Sequence, residues 1–365
     1  MVLGREVLKT KKGLENMKMV ICTIEEQRFT IVDPQTFFDQ NIDNYDAHNW
    51  FFDQFTTIWN FFLNQRRFRS AEHVWELALI SAYEWQDKNP NKRVHKGTPY
   101  YFWGVTCILN ADSEKGFLLM HQALEEDKKT LKSDAPKTPA YYFVTLNYER
   151  QDQFFKQKVE EIASFVDKKL GTYRSRTGGA LTLPNFKSRF LENSTLQDVV
   201  FYFVFTIFRL KKLIEEIDQK LKENVFSTLL QANTILDLCL IVENVMKKQI
   251  NKPTMYELLI HLSNQLSLNL HKGSKGSQNN NLSKLGIDFD GENLGKTLKE
   301  LLSSQYRFQD GPALQSIEED LAITYGFRNF GAHEIENQPV VYNNFDEISR
   351  RILNTLFFSI EKLYL

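Results

Sequence analysis

The sequence predicts a mainly α-helical protein: an irregular helical N-terminal domain with a small β-hairpin, then a C-terminal up-and-down helical bundle. Three observations carry this. From about residue 46 onward, apolar residues recur at three- and four-residue steps, the helical period. Short β-branched and aromatic runs of strand type stand out between residues 19 and 32. All five tryptophans (Trp50, Trp59, Trp75, Trp85, Trp103) precede residue 104, so the two parts are built differently. Between them Gly171, Gly178, Gly179, Pro184, Asn193 and Ser194 have the composition of a break, which puts the domains at 1–190 and 191–365.

In order along the chain, Met19–Ile24 and Arg28–Val32 flank Glu25-Glu26-Gln27 as two strands, and Pro34 ends the pattern because proline cannot donate to a ladder. Trp50, Phe51, Phe55, Ile58, Trp59, Phe62 and Leu63 then mark a helix. A second runs from about Ser70 to Gln86 with Val74, Leu77, Ala78 and Ser81 inward. Tyr101–Leu109 and Glu114–Lys129, joined by Asn110-Ala111-Asp112-Ser113, look similar to one tetratricopeptide-type hairpin, with small Gly104 and Ala123 at the approach. No period of about 34 residues is sustained, so the domain reads as irregular rather than a repeat array. Arg66-Arg67-x-Arg69, Lys92-Arg93-x-His95-Lys96 and Lys128-Lys129 read first as solvated faces. The second cluster adjoins Tyr100, Tyr101 and Trp103, and stacking surfaces for unpaired bases are the alternative there.

In the C-terminal part, Asn193, Ser194 or Thr195 caps a helix to about Asn224, whose run Val199–Phe208 is too apolar to face water and belongs in a core or subunit interface. Helices follow at about 226–250 and near Thr254–Leu270. His271–Lys284, rich in Gly, Ser, Asn and Lys, reads as a mobile insertion. Asp288-Phe289-Asp290-Gly291-Glu292 is not a calcium loop, since Gly286 and Thr297 would stand at the first and last ligand positions. Asp310-Gly311-Pro312 opens a helix that continues through Leu314, Ile317 and Leu321. Asn344 with Glu347 has the form of a capping box before the stripe Ile348, Ile352, Leu356, Ile360 and Leu363.

The composition, 42% hydrophobic and 25% charged over 365 residues, is that of a globular protein. A net charge of -1 argues against nucleic-acid binding by bulk charge. Residues 1–190 are slightly basic and 191–365 slightly acidic, so attraction for a polyanion falls partly on the first half. Cys22, Cys107 and Cys239 lack paired metal-ligand spacing and fit buried thiols in a reducing compartment. The start Met1–Glu6 lacks a signal-peptide core, and the run at 199–208 is about half a membrane span. A cytoplasmic protein without membrane contact or cofactor is the expectation.

The stretch Tyr325-Gly326-Phe327-Arg328-Asn329-Phe330-Gly331-Ala332-His333 sets a guanidinium, an amide and an imidazole close together. Arginine offers a fixed fork of donors for a phosphate, and histidine titrates near neutral pH. On an unbroken helix Arg328 and His333 stand about 140° apart, so a helix end or kink at Gly331 is needed for joint action. Upstream, Glu243 and Lys247 lie four residues apart in Leu240–Lys248. By itself that spacing is a common surface salt bridge worth only ~0.3–0.5 kcal/mol.

Arg-Asn-x3-His at 328–333 resembles the signature of the HEPN superfamily, whose active members are metal-independent ribonucleases. Glu243, Lys247 and Lys248 resemble the Glu-x3-Lys-Arg element on an earlier helix of that family, with lysine as the second basic residue. The tyrosine that some members carry two residues after the histidine is Ile335 here, which puts control by its modification in doubt. The resemblance implies attack of a ribose 2'-hydroxyl on the adjacent phosphate of RNA, with His333 as general base or acid. It also implies that Arg328 holds the phosphate, Asn329 orients His333 or donates to the phosphate, and Glu243 and Lys247 support the cleft. It further implies a homodimer sharing one composite cleft, a role in defence or growth arrest, and a sensing or targeting role for residues 1–190. Two other functions stay open: a non-catalytic helical adaptor with a protein partner at the N-terminal half, and an RNA or nucleotide sensor that binds phosphate without cleavage.

Overall fold

The computed structural model describes residues 17–217, 225–271, 281–289, 293–308, 313–329 and 339–364. The fold is mainly α, with one small antiparallel hairpin among the described residues. Two compact units divide the chain: Met1–Phe143 with Asn147–Gln157, and Val144–Leu146 with Lys158–Leu365. The division therefore falls before the glycine-rich tract, and residues 158–190 belong to the second unit.

In the first unit, β1 (Met19–Ile24) and β2 (Gln27–Val32) pair from Met19↔Val32 to Ile24↔Gln27. Val32 N donates to Gln54 Oε1 at 2.8 Å, which ties the hairpin to helix α2. Helices α1 (Pro34–Asn41), α2 (Tyr45–Asn64) and α3 (Phe68–Lys88) build an aromatic core around Phe38, Phe51, Trp59, Trp75 and Trp85. The indole N–H groups of Trp59 and Trp85 are satisfied by Thr106 Oγ1 and Asp39 Oδ1, both at 2.8 Å, so these rings are buried without stranding a donor. The inward stripe of α3 runs through Val74, Trp75, Ala78, Leu79, Ala82 and Trp85, leaving Leu77 and Ser81 half-buried.

Helices α4 (Gly97–Leu109) and α5 (Ser113–Leu131) form the hairpin expected from their small residues. A Cβ on Gly104 would stand 3.0 Å from Gly116 O, and one on Gly116 would stand 2.5 Å from Ile108 Cγ1. In the basic clusters Arg66, Arg69, Lys92 and Lys129 are exposed, as solvated faces would have them. Arg67 pairs with Glu25, Arg93 with Glu126, and Lys128 with Glu125, while His95 and Lys96 are buried. Tyr101 is buried as well, while Tyr100 and Trp103 are half-buried and hydrogen-bond Tyr83 and Glu72.

Helix α6 (Gln153–Thr177), in the second unit from Lys158 on, runs unbroken to Gly178, whose φ of 71° ends it. Its later turns belong to the bundle. The Tyr173 ring meets Phe357 edge-on at 5.9 Å, and Arg176 binds Glu319 and Asp320. This is why the following glycines turn the chain inside one unit instead of separating two. Helix α7 (Gln197–Lys211) buries Val200, Phe203, Val204, Ile207 and Leu210, and continues as a π-turn to Glu216; the rest of the helix expected to reach Asn224 lies outside the described residues.

Helices α8 (Val225–Gln249) and α9 (Met255–Gln265) follow, then α10 (Asn281–Asp288), α11 (Leu294–Leu302), α12 (Ser316–Asn329) and α13 (Phe345–Leu363). Most of the 271–284 insertion and the 310–312 helix start lie outside the described residues. Within α8, Phe226–Gln249 is the one described helix long and apolar enough to cross a membrane, and 61% of its apolar window is buried. Helix α13 is buried on all sides from Arg351 to Ile360, broader than the single stripe its sequence suggested. Asn344 does not cap it with its side chain; Asn344 Nδ2 donates back to Val340 O at 2.7 Å, and Glu347 binds Arg350 and Arg351.

Arg351 explains the burial of charge at the centre of this unit. It donates to Asp320 at 2.8 Å and Glu319 at 3.2 Å, and Asn354 supplies a further bond to Asp320 at 2.8 Å. With Arg176 the two carboxylates face two guanidiniums across α6, α12 and α13. Mutual pairing is what makes such buried charges tolerable.

Candidate functional site

The site starts from two helices that pack side by side, α8 and α12. Cys239 Sγ lies 3.7 Å from Thr324 O, which sets their contact. One turn further along both, the next residues to meet are Glu243 and Arg328. Glu243 is 4% exposed. Its Oε2 accepts from Arg328 Nε, and its Oε1 accepts from Lys247 Nζ at 2.6 Å. Thus one buried carboxylate holds a cation from each helix. The side chains of Arg328 and Lys247 remain 34% and 37% exposed, so both reach solvent from a fixed base.

The i,i+4 pair is therefore more than a surface salt bridge. Its acid is buried and shared with a residue 85 positions away. Tyr364 Oη also ties α13 to α8, donating to Val245 O at 2.6 Å. Lys248 is exposed on α8 one residue on, about 100° around the helix from Lys247, and is not brought into the carboxylate's grip.

Asn329 is exposed at the last described turn of α12 and hydrogen-bonds Tyr325, one turn back. Burial pushes the Tyr325 phenol up to about 12, so it stays protonated and can donate at neutral pH. The Tyr256 ring from α9 lies 6.4 Å away. Tyr325 was present in the stretch singled out above but carried no role there, because its approach to Asn329 depends on the helix running through Gly326. That glycine is not a break: it sits inside α12, where a Cβ would be 2.6 Å from the Phe289 ring. His333 and Gly331, where a helix end or kink was expected, lie outside the described residues.

Two cations and one anion leave this cluster with a net positive charge beside solvent, suited to an oxyanion such as a phosphate. No protein-family model, curated protein or solved structure matches the chain. Among the described residues, no group of His, Cys, Asp and Glu could hold a metal. Cys239 is buried next to the site and its thiol is pushed up by burial, which keeps it an inert neighbour rather than a nucleophile.

Proposed function

We propose that the second unit is a HEPN-type, metal-independent endoribonuclease acting as a homodimer. The observation that supports it is Glu243 joining Arg328 to Lys247: two sequence elements that resemble the family's separate motifs converge on one carboxylate. In this reading Arg328 and Lys247 bind the scissile phosphate of RNA, and Glu243 is a positioning residue that sets the guanidinium's angle.

One imidazole, His333 of one copy, takes the proton from the ribose 2'-hydroxyl as its oxygen attacks phosphorus. The same histidine of the second copy gives a proton to the departing 5'-oxygen. The products are a 2',3'-cyclic phosphate and a 5'-hydroxyl, with no proton or oxygen unaccounted for. Asn329, next to Arg328, orients the imidazole or donates to a phosphate oxygen. A shared cleft requires a two-fold assembly, because in-line transfer uses an acid and a base on opposite sides.

Purified protein incubated with total RNA in excess EDTA tests this. Cleavage leaving cyclic phosphate ends, abolished by His333→Ala, is the expected result. RNA binding without cleavage assigns a phosphate sensor, and no interaction with RNA leaves an adaptor; either outcome overturns the nuclease.

A further inference from the structure

The first unit contains a small cavity of about 80 Å³ whose lining includes His95, Gly97, Tyr101, Phe102 and Asp127. It lies where the loop before α4 meets the end of α5, and its chemistry is unusual for a packing defect. His95 is 2% exposed and Asp127 is 5% exposed, and among the described residues no lysine or arginine pairs with Asp127. His95 Nε2 stands 3.5 Å from Asp127 Oδ1, too far for a good hydrogen bond. The other ring nitrogen, Nδ1, lies 3.0 Å from Thr130 Oγ1, which already accepts from Arg93. Thr130 Oγ1 keeps both its own proton and a second lone pair, so either ring tautomer fits this contact, and Nε2 faces Asp127.

The nearby cations do not serve Asp127. Arg93 is engaged by Glu126 at 2.7 Å, and Lys96 Nζ donates to Gln86 Oε1 at 2.6 Å and Val94 O at 2.8 Å. Burial pushes the Asp127 carboxyl up to about 7, against the Thr138 hydroxyl, and pushes His95 down to about 4, so the ring is neutral and supplies no counter-charge. Gly97 makes the arrangement possible: a Cβ there would lie 2.2 Å from Asp127 Oδ1 and 2.8 Å from His95 Cε1. The carboxyl group thus occupies the space over the first turn of α4, and above about pH 7 a ligand entering the cavity meets a carboxylate.

We propose that this cavity binds a planar guanidinium-type group, with Asp127 as its acceptor and the Tyr101 and Phe102 rings along its path. A buried carboxylate without a cation, beside aromatic walls, favours a flat, weakly hydrated cation over an ammonium. The volume admits a head group of a few heavy atoms and excludes a purine. The site stands apart from the nuclease reading and does not depend on it.

Titration calorimetry of the full chain at about pH 8, where Asp127 is ionised, with methylguanidinium chloride against urea as a neutral group of similar planarity tests the proposal. Saturable one-to-one binding of methylguanidinium, at least about tenfold tighter than urea and weakened at least about tenfold by Asp127→Asn, is the expected result. Equal affinity for the two probes, or methylguanidinium binding untouched by Asp127→Asn, overturns it. If Asp127→Asn fails to fold, the comparison of the two probes on the native chain decides alone. Replacing methylguanidinium by N-acetylarginine methylamide separates the sources: tighter binding assigns an arginine side chain, weaker binding a free guanidino compound.

Discussion

Glu243 carries two cations on one buried carboxylate, so the three residues differ in what their removal does. Arg328→Ala leaves Glu243 with Lys247 as a partner, and the loss of stability should stay near ~1–2 kcal/mol. On the nuclease reading, cleavage should fall by about 100-fold or more, because the guanidinium would be the group that meets developing charge. Parallel melting and single-turnover cleavage measurements check this; a collapsed melt would make Arg328 a structural residue. Asp127 and its histidine neighbours set a second expectation. Asp127 is raised to about 7, so between roughly pH 4 and 7 the folded chain keeps a proton that the unfolded chain has released. Its contribution to stability is present below pH 4 and is lost as pH rises through 7. His48 and His95, pushed down to about 4 mainly by burial, act oppositely: their contribution is lost as pH falls from about 6.5 toward 4. Asp127→Asn removes the first effect alone. The variant should gain on the wild type by ~1–3 kcal/mol as pH rises from 4 to 8, read from melting temperature against pH. Parallel pH profiles would count against it.

The elements show where local pattern and packing part ways. Helix α12 runs through Gly326 because Phe289, just beyond α10, fills the space a side chain would take, with its ring 5.3 Å from Phe327. Glycine in this helix is there for a neighbour, not for a bend. Gly326→Ala should therefore cost ~1–3 kcal/mol despite alanine's better helix propensity, and adding Phe289→Leu should recover part of it. Thermal melts of the single and double variants check the coupling. Similarly, Asn344 has the sequence form of a cap, but its amide turns back to Val340 while Glu347 is drawn to two arginines. A capping pattern describes what a side chain is able to do locally, and stronger charged partners decided otherwise.

At the scale of the molecule, the division inside α6 has consequences for any fragment. A chain cut at residue 191 loses Tyr173 and Arg176, and with Arg176 one of the guanidiniums facing Glu319 and Asp320. Stranding buried charge costs ~3–5 kcal/mol. Fragment 191–365 should lack a cooperative melt, whereas fragment 144–365, which keeps α6 and the Lys187 bond to Leu146 O at 2.8 Å, should show one. Equal behaviour of the two would put the true boundary at the glycine tract. The nuclease reading adds an expectation at this scale: light scattering after gel filtration should give twice the monomer mass of 42.9 kDa. A monomer at all cleaving concentrations would rule out the shared cleft.

Most of the helices, the hairpin at 19–32 and the close α4–α5 approach were legible in the sequence because each depends on residues a few positions apart: a period, a turn, a missing side chain; α1, α6, α10 and α11 were not read from it. The basic cluster at 92–96 was misleading for the same reason. Local charge does not say that Glu126 on α5 and Gln86 on α3 will draw the segment inward. Glu243 and Arg328 could each be picked out as residue types, but their meeting across 85 positions, and the placing of a carboxylate over Gly97 against a neutral imidazole, arise from packing between helices. Periodicity is written in neighbours along the chain; shared charges and cavities are decided by burial, which only the folded chain defines.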